Sequence, residues 1–179
     1  MKRQIFGFAT IALLLFAGSS WAQQQEAPEE MKHLKSEVGT WNAEIRMFGD
    51  PSGQPQVSKG TETVFMLGDM WLISHFKGEM MGMKFEGSSQ MSFNPETKKY
   101  TGTWVDSMSP YAMAVEGTFD EKTKTLNQIG TGKDESGNEM KMIMTSTQKD
   151  DGTRLFTMYM PGPDGNDMKA MEIHYTKAK

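Results

Sequence analysis

From Gly39 to Lys179 apolar and polar residues alternate in short runs, and polar turn sequences separate the runs. The clearest run sets Met83, Phe85, Gly87, Ser89, Met91 and Phe93 on one parity against Lys84, Glu86, Ser88, Gln90 and Ser92 on the other. A period of two puts alternate side chains on opposite faces of a strand, so one face is wet and the other buried. The pattern predicts ten strands, near Thr40–Phe48, Ser58–Leu67, Met70–Lys77, Met83–Phe93, Lys99–Ser107, Tyr111–Phe119, Thr125–Thr131, Glu139–Gln148, Arg154–Met160 and Met168–Lys177.

The turn signals agree. Gly68-Asp69 reads as a tight hairpin. The loops Phe93–Tyr100 and Phe119–Leu126 resemble each other, with Asn94 and Asp120 placed to cap the turn backbone. No connection is long enough for a crossover helix, so the strands pair antiparallel. Closing such a series removes its exposed edges. The expectation is an all-β fold: a single antiparallel up-and-down barrel of about ten strands. A two-sheet β-sandwich is the alternative.

A helical pattern runs from Pro28 to about Glu37, with Met31, Leu34 and Val38 on one side for packing against the barrel, and Gly39 ends it. Upstream, Lys2 and Arg3 precede an apolar stretch from Ile5 to Phe16, and Ser20-Trp21-Ala22 supplies small residues for cleavage. This reads as a secretory signal peptide over 1–22, its apolar part too short to span a bilayer stably. A polar leader over 23–30 and one barrel domain over 31–179 follow.

Cleavage after Ala22 would leave 157 of the 179 residues and shift the formal net charge from −4 to −6, because the signal carries two cations and no carboxylate. That balance disfavours a nucleic-acid partner and adsorption to anionic lipid. The chain has no Cys, which excludes disulfides, thiolate chemistry and a lipid-modified N-terminal cysteine. The expected location is periplasmic or secreted, without a stable membrane anchor after cleavage.

Methionine changes the picture most: there are 18, and Met140, Met142, Met144 and then Met158 and Met160 share strand faces. Met fills irregular gaps and adapts to varied apolar surfaces, and its thioether suits Cu(I). Core filling, ligand lining and copper all fit the pattern, although no loop carries closely spaced Met and His. The histidines, His33, His75 and His174, have no metal-ligand spacing. Trp104 and Asp106 share one strand face, as do Glu172 and His174, and an inward face of that kind would need pairing or a ligand. No serine elbow or phosphate-binding glycine loop is present, and no cofactor is identified.

Gly39-Thr40-Trp41 resembles the opening motif of lipocalin-like barrels. Gly60-Thr61-Glu62-Thr63, Gly82–Gly87, Thr103–Met108, Glu116–Asp120, Gly162–Gly165 and Met171–Lys177 together resemble the bacterial family known as domain of unknown function 1579. Gly68-Asp69 departs from the two glycines usual there, and His174 stands where a basic residue is common. The resemblance implies a single compact β-domain, often secreted, and implies no reaction. A fainter likeness is to small haem-binding barrels of the nitrobindin type, which carry a ligating histidine near the C-terminus, where His174 lies.

The leading expectation is a non-enzymatic barrel binding a small hydrophobic or amphipathic ligand. Trp41, Trp104, Met142 and Met158 are candidate apolar contacts, and Asp106, Glu116, Glu172 and His174 candidate polar ones. The alternatives are a haem- or copper-binding stress protein using His174 or Met side chains, and a hydrolase or isomerase using Asp106 and Glu172.

Overall fold

The structure, a computed structural model, describes residues 26–49, 53–134, 136–162 and 164–179. The signal-peptide reading of 1–22 and the first part of the leader lie outside these residues. One helix and ten strands follow in chain order: α1 (Met31–Lys35), β1 (Gly39–Met47), β2 (Gln56–Leu67), β3 (Trp71–Met80), β4 (Met83–Asn94) and β5 (Lys99–Asp106). The second half holds β6 (Met113–Asp120), β7 (Thr125–Lys133), β8 (Glu139–Gln148), β9 (Arg154–Pro161) and β10 (Asp167–Lys177).

Each strand pairs antiparallel with its neighbours in sequence, and β1 pairs with β10, so the sheet is a closed ring. The two-sheet alternative is excluded by that closure. Between β1 and β10 the register runs from Trp41 opposite Lys177 to Met47 opposite Met171. The shortest pairing in the wall, five positions, joins β5 to β6.

The turns follow their residue chemistry. Asn94 Oδ1 accepts from the backbone N–H of Glu96 and Thr97 at 2.9 and 3.3 Å. Asp120 Oδ1 accepts in the same way from Lys122 and Thr123 at 2.8 and 3.3 Å. The likeness of these loops is therefore one of turn construction, a short polar side chain replacing a backbone acceptor.

Gly39 takes φ 137°, a conformation that side chains disfavour, and there the chain leaves the helical segment for β1. α1 closes one end of the ring. Met31 and Leu34 are 1% and 2% exposed, while Val38, expected beside them, is exposed. The Tyr100 hydroxyl donates to Glu30 O at 2.8 Å, and the His33 ring stacks on Phe119 at 3.8 Å. Burial of the two apolar helix side chains contributes roughly 1.5–3 kcal/mol each. A helix of five residues would not persist without that support.

Candidate functional site: a methionine-lined cavity

Strand parity places Trp41, Ala43, Ile45 and Met47 of β1 inside the ring, and the other strands continue the pattern. At the end covered by α1 the inward residues are bulky: Trp41, Phe93, Tyr100, Leu126 and Tyr175 are buried. Towards the opposite end the core gives way to a cavity of about 550 Å³, whose mouth is bordered by Met108, Ser109, Tyr111, Lys133 and Asp134. That volume suits one small organic molecule.

Among the described residues, eleven methionines line it. β8 contributes Met140, Met142 and Met144, and β9 contributes Met158 and Met160. Phe76, Phe85, Trp104 and Phe156 supply aromatic wall. Inward glycines make room for large neighbours. A Cβ on Gly87 would overlap the Trp104 ring, and one on Gly130 would stand 2.6 Å from Met113 Sδ and 2.9 Å from Met144 Cε.

The floor is polar. Arg154, 5% exposed, donates through its terminal nitrogens to Glu37 and Glu62. Its guanidinium lies 4.0 Å from the Tyr175 ring centroid and 5.1 Å from that of Trp41. The Arg154 Nε is buried and takes no hydrogen-bond partner among the described residues. Burial pushes the Glu37 carboxyl above its ordinary value, against the pull of Arg154. Burial also pushes the Tyr175 hydroxyl far above 10.0, with the Glu62 charge adding to it. The charged residues of the lining are Glu37, Glu62, Asp106 and Asp134 against Arg154 and Lys133, so the interior is biased negative.

The structure divides the sequence candidates. Trp104, Asp106, Met142 and Met158 line the cavity. Asp106 Oδ2 accepts from Trp104 Nε1 at 2.8 Å, and its Oδ1 accepts from the N–H of Met108 and Ser109 at 2.9 and 3.1 Å. It therefore holds the Trp104 ring and the mouth turn. Trp41 points inward but lies beneath the floor, between Arg154 and Lys177, and donates to Glu37 O at 2.8 Å.

The other three candidates are corrected, because their strands turn the opposite parity inward. Glu116 is exposed and pairs with Lys99 at 2.8 Å, while its neighbour Val115 points in. Glu172 and His174 flank the buried Ile173, lie on the outer face and pair with each other at 2.7 Å. Hydrogen bonds from Lys169 and His174 hold the Glu172 carboxyl below its ordinary value.

Two alternatives lose their geometry as a result. Asp106 and Glu172 stand on opposite sides of the wall, so they share no reacting centre. Haem inside the barrel would find no histidine, since none lines the cavity among the described residues. No group of three His, Asp or Glu among the described residues is arranged for a metal ion either.

Sequence reasoning missed the floor. Glu62 falls in phase with Gly60 and Val64, and Arg154 in phase with Phe156 and Met158. A charge on the apolar parity of a strand was the available signal, because such a charge must find a partner inside.

No curated protein matches the chain. The structure of Rv2717c from M. tuberculosis superimposes with a TM-score of 0.61 at 9% identity, covering 86% of this chain and 100% of that one. The S-type phycobiliprotein lyase CPES from Guillardia theta gives 0.56 at 10% identity, covering 83% and 92%. At such identities the likeness is one of fold. The family described as "Protein of unknown function (DUF1579)" matches residues 26–177, nearly the whole described chain, and the protein belongs to that family.

Proposed function

We propose that this is an exported, non-enzymatic barrel that holds one small apolar or amphipathic molecule in its methionine-lined cavity. The observation that carries this reading is a cavity of about 550 Å³ inside the ring, reaching its end away from α1. Flexible thioether walls adapt to guests of varied outline, because Met is unbranched and polarizable. The excess of carboxylates in the lining selects against an anionic head group, since like charges repel strongly where water is scarce. The guest class is therefore neutral or cationic, with its polar end at the mouth or on the floor.

Titration with the neutral fluorophore N-phenyl-1-naphthylamine tests the reading. One equivalent is expected to bind with enhanced emission. A cationic amphiphile should displace it more readily than a fatty-acid carboxylate of the same chain length. Filling the cavity with Met158→Trp should weaken the fluorophore by about tenfold, equivalent to ~1.4 kcal/mol. Absence of saturable binding would remove the proposal.

A further inference from the structure

Barrel closure assembles a row of sulfur that no stretch of sequence contains. Met144 on β8 lies opposite Met158 on β9, Met158 opposite Met171 on β10, and Met171 opposite Met47 on β1. Directly opposed residues on neighbouring antiparallel strands share a face, with Cβ atoms about 4.5–5.5 Å apart. All four line the cavity. The alignment depends on a bulge in β10 between Lys169 and Met171, where the extra residue Ala170 brings Met171 rather than itself opposite Met158. The row extends beyond β8 as well. Met113 Sδ and Met144 Cε both lie over Gly130, where any larger residue would displace them.

We infer that the thioethers of Met144, Met158 and Met171 form a binding site for a soft monovalent d10 cation, copper(I) in the cell. Thioether sulfur is neutral and polarizable, so it favours Cu(I) over the hard cations that seek carboxylates and water. A Met side chain has three rotatable bonds, and three in a row on adjacent strands can turn their sulfurs to one point without backbone movement. Such ligands bring no charge of their own, and an ion leaving water for an apolar interior needs compensation. The carboxylate excess of the lining provides it: Glu37, Glu62, Asp106 and Asp134 against Arg154 and Lys133. The site lies within the proposed guest cavity but stands independently of any organic guest.

Silver(I), a redox-inert ion with the same preference for thioethers, is the probe. Native mass spectrometry of the wild-type protein should retain one Ag(I) per chain. Anaerobic competition against a chromophoric Cu(I) chelator should give one Cu(I). The variant Met144→Leu/Met158→Leu/Met171→Leu keeps volume and apolarity, and its affinity should fall at least ~100-fold, equivalent to ~2.7 kcal/mol. Met81→Leu/Met83→Leu/Met168→Leu, at exposed positions, should behave as wild type.

In the wild-type protein labelled at methionine methyls, Ag(I) should shift the NMR signals of Met144, Met158 and Met171 and leave those of Met81 and Met83 in place. That measurement needs no variant. Failure to retain Ag(I), undiminished affinity in the interior triple variant, or shifts confined to exposed methionines would overturn the inference. Naphthylamine binding by the same samples separates the two proposals: a guest bound without silver removes the ion site alone.

Discussion

Arg154 concentrates the energetics of the closed end in one side chain. Its guanidinium is desolvated, faces two carboxylates and packs on two aromatic rings. Replacing it by Met would leave Glu37 and Glu62 buried without their cation, at a cost of about 3–5 kcal/mol. Urea unfolding should register that loss, and adding Glu37→Gln and Glu62→Gln should recover much of it. The tyrosines give an alkaline signature. Burial raises the Tyr100 and Tyr175 hydroxyls above 10.0, so the unfolded chain releases these protons before the folded one. Their stabilising contribution is complete below pH 10.0 and declines as pH rises above it. The melting temperature should fall over that range, and Tyr175→Phe should make the fall shallower. Little of this was legible beforehand. Parity marks Glu62 and Arg154 as inward charges, but their meeting depends on a contact across 92 residues that local pattern does not contain.

At the scale of the strand, legibility was high. All ten expected strands occur, and β8 has the expected bounds, because a single buried face imposes strict alternation. Parity alone does not say which face turns inward, and Glu116, Glu172 and His174 were misplaced for that reason. On β10 the bulge at Ala170 adds a residue that no period of two anticipates. Gly87 shows how one strand makes space for another. The Trp104 ring lies against its backbone, stacks near Phe85 and is held by Asp106. Gly87→Ala should push the ring towards the cavity and cost about 1–3 kcal/mol, the usual penalty of overpacking. Tryptophan emission and thermal melting, measured together, check both effects.

For the whole molecule, the outline was readable and the hollow was not. The alternation and absence of crossover segments lead to a closed antiparallel ring, whereas the cavity depends on how side chains from ten strands share the interior. The methionines could have filled that space; in the folded ring they border it. The corked end has a consequence for traffic. With α1 and the Arg154 cluster packed across one end, the described barrel resembles a cup more than a tube. On the proposed function, whatever enters past Tyr111 and Lys133 would depart by the same doorway, so a resident would block its successor and exchange would proceed one occupant at a time.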